Sequence, residues 1–338
     1  MKDTPLLIPI LLVFFVSVGL ARVKTIAITG LFALAFVYGY RKGEKLGKPK
    51  REVKVRDTIF LAMLLISLFI ILFQILILGE IPLLDPQIRS HLNPKMTMLT
   101  YLLGLPSSVY LFMKGRKIAL LYPILVSLYA YRTPILVSLI ALTVPYLETQ
   151  KDNRRVIIVT ISGLFLILAV SYLRGSLTFL TRIQGTTSVL DVIVKRCSLS
   201  GFYKGKLQWT GVTSYFVGGL GPRSLIAKYL GVSGVTITAT LIGGMYLDFG
   251  LLSIIEITLL GLYYGITKRL TSEVGKAFYY STLAYGIVGV ETGILDLPTY
   301  LMFLIGAIIA WREIDGDIRK SISNVIANVL SIGKSREG

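Results

Sequence analysis

Apolar positions in this chain fall in long, nearly uninterrupted runs, not in the half-apolar patterns that a water-soluble helix or strand requires. The runs cover residues 5–20, 25–40, 58–78, 96–113, 118–131, 134–147, 156–173, 251–266, 277–295 and 299–311. Ten such stretches predict a single all-α, polytopic membrane domain over residues 1–338, with about 10 to 12 transmembrane helices. The upper number depends on two weaker stretches, 209–220 and 232–247, which are rich in Gly and Thr. They form re-entrant or spanning segments, and the number that span must be even for the topology to close. Lys2 ahead of the first run gives it the outline of a signal peptide, but the second run follows so closely that a first span is the better reading.

Charge orients these spans. The loop from Arg41 to Asp57 carries eight Lys/Arg and belongs in the cytoplasm by the positive-inside rule. Alternation then places Lys114, Arg116 and Lys117, Lys151, Arg154 and Arg155, Lys268, Arg269 and Lys276, and Arg312, Arg319 and Lys320 on the same side, with both termini. The outer face receives the turn at Arg22 and Lys24, residues 79–95, the turn at Arg132, the segment 174–250 and the turn at Asp296. The composition agrees: 54% of residues are hydrophobic, 16% are charged, and the mean hydropathy is +0.73. A net charge of +18 is carried mostly by the short loops, which topology explains without nucleic acid. Cys197 and His91 are the only residues of their types, so neither a disulfide framework nor a Cys/His metal cluster can be built.

One segment departs from the rule that orients the rest. The large external loop at 174–250 holds Arg174, Arg182, Lys195, Arg196, Lys204, Lys206, Arg223 and Lys228 against Asp191 and Asp248 alone. An outer loop has no topological need for such an excess, which points to an anionic ligand. Within it PRSLIAKYL, from Pro222, predicts a short amphipathic helix lying at the interface, with Leu225, Ile226, Tyr229 and Leu230 on one face. A comparable stripe of Ile318, Ile322, Val325, Ile326, Val329 and Leu330 predicts a cytoplasmic amphipathic helix at 317–332.

Arg132 sits between two apolar runs of fourteen residues each. Fourteen helical residues reach about 21 Å, short of a hydrocarbon core of about 30 Å. The pair therefore forms a hairpin that turns at YRTP below the outer surface, where an arginine costs up to roughly 3 kcal/mol unless the recess is polar. Two readings of Arg132 stand side by side: a snorkelling residue paired with an acid, and a buried anion site opening outward. Arg174 and Gly175 follow another apolar run directly, while Glu256 and Glu291 lie inside apolar runs and suit either structural pairing or function. TITATLIGGMYLDFG, from Thr236, is expected to carry Tyr246 and Asp248 to the outer end of a span beside glycines that expose backbone to a ligand.

These residues resemble the oligosaccharide repeat unit polymerases of the O-antigen polymerase type. The points of contact are GEIPLLD from Gly79, YRTP around Arg132, RG at Arg174, and GPRSLIAKYLG followed by TITATLIGGMYLDFGLLS from Gly221. The resemblance implies a GT-C-like fold in the plasma membrane and glycosyl transfer on its outer face between lipid-linked oligosaccharides. A sugar hydroxyl of the acceptor attacks the anomeric carbon of the donor, and polyprenyl pyrophosphate leaves. The carrier is undecaprenyl or dolichyl pyrophosphate; membrane lipid is a second partner and a chain-length regulator a candidate third. Arginines aimed at the leaving group stabilise developing charge, which assigns Arg132 and Arg174 to catalysis and Arg89, Arg182, Arg223, Lys228 and Tyr246 to substrate binding. Asp248, Glu291 and His91 are the alternatives for a general base, beside a reaction that needs none because the leaving group departs early. No metal or other cofactor is expected, because the outer carboxylates Glu80, Asp85, Asp191, Asp248 and Asp296 show no DxD spacing. A flippase or exporter, and an O-antigen ligase, are the competing functions; the absence of an internal repeat and of a phosphate-binding Gly-rich loop disfavours a transporter.

Overall fold

The computed structural model describes residues 3–46, 49, 52–85, 87–149 and 179–314. The apolar run at 156–173, Arg174 and the stripe at 317–332 lie outside them. The described residues form helices and turns with a single isolated bridge between Pro49 and Ile314, as the apolar runs predict. In chain order the helices are Leu7–Val18 (α1), Val23–Lys45 (α2), Asp57–Leu78 (α3), Pro94–Met113 (α4), Leu121–Ser127 (α5) and Arg132–Thr149 (α6). After them come Phe179–Arg196 (α7), Lys206–Thr213 (α8), Pro222–Tyr229 (α9), Thr240–Phe249 (α10), Ile254–Thr267 (α11), Glu273–Thr292 (α12) and Leu297–Glu313 (α13).

Among the described residues four helical segments are long and apolar enough to cross a bilayer: α2, α3, α4 and the composite Thr240–Thr267, which joins α10 to α11. The composite revises the sequence reading, since this element begins at Thr240 and absorbs half of the weak stretch at 232–247. It passes through the 3-10 turn Gly250–Ser253, where Gly250 has φ +56° and its missing side chain leaves room for the carbonyl of Leu199. The stretch at 209–220 contributes part of α8, which is eight residues long and therefore about 12 Å, shorter than a hydrocarbon core. The run at 118–131 breaks into the 3-10 turn Lys117–Leu120 and the seven-residue α5.

Among the described residues the most extensive helix contact is α2 against α11, and its cause is legible in four glycines. A side-chain carbon added at Gly39 would lie 2.0 Å from the carbonyl oxygen of Thr258, and one at Gly43 2.4 Å from that of Leu262. From the other helix, Gly261 would meet the carbonyl of Phe36 at 2.1 Å and Gly265 that of Tyr40 at 2.2 Å. Both helices thus present glycines four positions apart and touch backbone to backbone, which is how packing holds helices together where lipid removes the hydrophobic drive between them. Gly261→Val is expected to force α2 and α11 apart and destabilise the fold by about 3 kcal/mol or more. A thermal melt of the detergent-solubilised variant checks this; an unchanged midpoint would rule the contact out as a determinant of stability.

Polar contacts sort the helix termini into two ends of the bundle. At one end, Tyr110 donates to Asp57 at 2.6 Å and Lys114 pairs with Glu273, joining the end of α4 to the starts of α3 and α12. There too Lys268 meets Asp3 at 3.0 Å and Glu44 at 3.2 Å, and hydrogen bonds from Lys268 and Tyr40 hold the Asp3 carboxyl below its usual range. Glu148, near the end of α6, accepts from Thr4 at 2.8 Å and from Tyr280 at 2.6 Å. These are the termini that the charge pattern assigns to one side. On the other side, the start of α4, the turn before α6, the starts of α7, α9 and α13 and the end of α12 meet around a cavity.

Candidate active site

The cavity has a volume of about 1200 Å³ and is lined by four arginines, Arg89, Arg132, Arg182 and Arg223. They come from four separate segments, and each is positioned by local structure. Arg89 lies on the 3-10 turn Ile88–His91, which follows a turn closed by the Gln87 N–H on Asp85 at 2.9 Å. Its guanidinium carbon is 5.7 Å from the centroid of the Tyr131 ring, and its carbonyl accepts from the Tyr131 hydroxyl at 3.3 Å. Gln74, buried near the end of α3, ties this region together. Its side chain accepts from the Asn93 N–H at 3.1 Å and donates to the Tyr129 hydroxyl at 2.5 Å. Asn93 caps α4 by accepting from Lys95 and Met96, with Pro94 at the first helical position.

Arg132 opens α6. The chain reverses just before it, at Ala130, a buried residue with φ +57°, which an alanine adopts only at a cost. The two short apolar segments predicted around YRTP therefore do meet in a turn, and that turn faces the cavity. The charges of Arg182 and Glu291 both act on the Arg132 guanidinium. Arg182, in the first turn of α7, pairs through its Nε with Glu291 at the end of α12. Arg223 follows Pro222 at the start of α9 and pairs with Asp296 at 2.8 Å. The remaining wall is hydroxyl-rich: Tyr101, Tyr131, Tyr215 and Tyr285 line it together with Thr97, Thr133, Thr181 and Thr299 among other threonines. Burial and the charge of Asp296 push the Tyr215 hydroxyl up, so it remains a neutral donor. A space larger than most drug-sized pockets, cationic over part of its wall and rich in Tyr and Thr elsewhere, suits a ligand with both phosphate and sugar parts.

Other sequence candidates lie elsewhere. Asp248 is fully buried away from the cavity, where its carboxylate accepts from the N–H groups of Leu207 at 2.9 Å and Gln208 at 2.8 Å and so caps α8. Glu256 accepts from the Gln208 side chain at 2.8 Å. Tyr246 is buried against Phe32, with ring centroids 6.4 Å apart. Their segment starts at the cavity with Thr236, Ile237 and Thr238 and then leads away from it, so Asp248 stands two turns into α10 and not at an outer mouth. Its glycines serve packing: a side chain at Gly244 would meet Leu295 at 3.0 Å. Lys228 is exposed and outside the wall; His91 is exposed too, although its neighbours Ser90 and Leu92 line the cavity. Glu291 reaches the site through Arg182. Asp296 and the four tyrosines belong to the wall without having been assigned a role from sequence. Tyr131, inside YRTP itself, was the one with a visible signal.

Helices long and apolar enough to span a bilayer, with an arginine-lined cavity among converging helix termini, mark an integral membrane protein. A family model described as "Putative O-antigen polymerase" matches residues 1–303, and the chain belongs to that family. An uncharacterized protein of Methanocaldococcus jannaschii is 28% identical over 300 residues, a match that covers 82% of this chain and 84% of the relative. No solved structure matches the chain.

Proposed function

We propose that this protein polymerises lipid-linked oligosaccharide repeat units on the outer face of the membrane, by glycosyl transfer that releases polyprenyl pyrophosphate from the donor chain. The observation that carries this reading is the convergence of Arg89, Arg132, Arg182 and Arg223, from four separate segments, on one cavity. The pyrophosphate is the group that gains charge as the glycosidic carbon is transferred, and guanidiniums already in place stabilise that charge more in the transition state than in the ground state. Arg174 joins them in this reading, and the threonine and tyrosine wall receives the sugars. The cavity end of the bundle faces outward and both termini face the cytoplasm, following the basic loops at the opposite end. The remaining apolar runs complete a bundle of about 10 to 12 spans of GT-C type.

The test is reconstitution in detergent. Purified protein mixed with lipid-linked repeat units is expected to build a ladder of longer glycans without any sealed compartment, and to do so at nearly its full rate in excess EDTA. The second expectation follows from the cavity's chemistry, since four arginines of the chain itself line it and are available to the leaving group. A lipid recovered unchanged would favour a flippase, and transfer only to a different acceptor would favour a ligase. Turnover abolished by chelation and restored by Mg²⁺ would replace the arginine-centred mechanism with a metal-centred one.

A further inference from the structure

Asp296 occupies the N-cap position of α13, where an aspartate ordinarily accepts from N–H groups of the first turn and stabilises a helix by about 1 kcal/mol. Its side chain makes no such bond. The carboxylate instead turns into the cavity, and among the described residues it is the acid that lines the wall. There it holds Arg223 by a single contact, Oδ2 to one terminal nitrogen at 2.8 Å, with side-chain exposures of 32% and 29%. An ion pair this exposed to solvent is worth at most about 1 kcal/mol, so it offers little beyond the cap that is forgone. The pairing is also incomplete. Arg223 Nε, on the same guanidinium, is buried without a hydrogen-bond partner, whereas a two-pronged carboxylate would satisfy both nitrogens. An arginine edge that is half filled by a weakly held carboxylate is suited to exchange that carboxylate for a ligand with more oxygens.

Building on the function proposed above, we infer that Asp296 is the catalytic base of glycosyl transfer, and that Arg223 keeps it engaged until the donor's pyrophosphate draws the guanidinium away. Binding of the donor then creates the base that the acceptor needs. The acceptor hydroxyl gives its proton to the Asp296 carboxylate while its oxygen forms the new bond to the anomeric carbon. The bond from that carbon to the pyrophosphate oxygen breaks, and its electron pair leaves with the pyrophosphate, whose charge Arg223 and its neighbours hold. The other carboxylates are less suited: Asp248 is occupied as a helix cap and Glu291 is held by Arg182 behind the wall. The sequence of events is compulsory, donor first and acceptor second.

Asp296→Asn separates the base from the binding site. Its ladder formation is expected to fall about 10³-fold, in the range that a general base contributes. Binding of geranylgeranyl pyrophosphate, a short mimic of the leaving group, is expected to match or exceed that of the unmodified protein, because Arg223 loses its competitor. Asp296→Glu should recover at least a tenth of the rate. A purely structural ion pair predicts the reverse pattern for Asp296→Asn, with pyrophosphate binding and abundance falling together. Ladder formation by Asp296→Asn within threefold of normal overturns the inference while leaving the proposed function standing. If Asp296→Asn does not accumulate in the membrane, Asp296→Ser is read in its place with the same two measurements, and ladder formation within threefold of normal sinks the idea. Failure of the unmodified protein to bind the pyrophosphate or build a ladder is a failure of the function itself.

Discussion

Arg132→Lys is expected to lower polymerisation at least 100-fold while the protein still inserts and folds. Lysine keeps the charge at the turn before α6 but presents a compact ammonium in place of a planar fork, so it cannot hold two phosphate oxygens in fixed geometry. A hundredfold loss corresponds to about 2.7 kcal/mol of transition-state stabilisation, the scale of one well-placed donor to a developing oxyanion. Arg132 is the position where this should be clearest. It stands at the start of a helix, beside a strained Ala130, in a wall shared with Arg89, Arg182 and Arg223. Initial rates from a glycan ladder, normalised to protein recovered in the membrane, give the measurement. Near-normal turnover of the lysine variant would reduce the role of Arg132 to attraction by net charge.

Reversal of two charges at once should act on binding more than on the chemical step. Arg182→Glu combined with Arg223→Glu is expected to weaken geranylgeranyl pyrophosphate binding by more than 100-fold, since two attractive partners become repulsive in a partly water-excluded site. Each new carboxylate would also face an existing one, Glu291 or Asp296, so the paired variant Arg182→Gln with Arg223→Gln separates lost attraction from added repulsion. The glutamine pair should fall between the two extremes. Equivalent reversals at Lys48 and Lys50, in the basic loop before α3, should leave this affinity unchanged. Equal losses from both pairs would mean that the basic loop and the cavity share a side, and the proposed orientation would have to be reversed.

How the candidate site was read from sequence shows which kinds of signal survive without coordinates. Arg132 could be singled out because an arginine between two apolar runs is costly, and cost is a local property. Arg182 and Arg223 were visible as part of an excess of positive charge on an outer segment. Asp248 and Tyr246 were misplaced for an equally physical reason. A carboxylate next to glycines in an apolar stretch reads as a pocket wall, but whether it faces a ligand or the N-terminus of α8 depends on a helix forty residues away in sequence. Asp296 went the other way. From sequence it was one outer carboxylate in a short turn, and its place opposite Arg223, seventy-three positions distant, exists only in the folded chain.

By itself the sequence determined the all-helical membrane class, the places where most helices begin and end, and the grouping of loops by charge. Those properties follow from the transfer of short segments between water and lipid, which depends on neighbours along the chain. Tertiary structure decided what no local rule contains. It set the backbone contact of α2 with α11 through four glycines, the fusion of α10 and α11 across Gly250, and the gathering of Arg89, Arg132, Arg182 and Arg223 around one cavity. Such contacts join residues dozens to hundreds of positions apart. Their energies depend on distance and burial in three dimensions, so they exist only once the helices have packed.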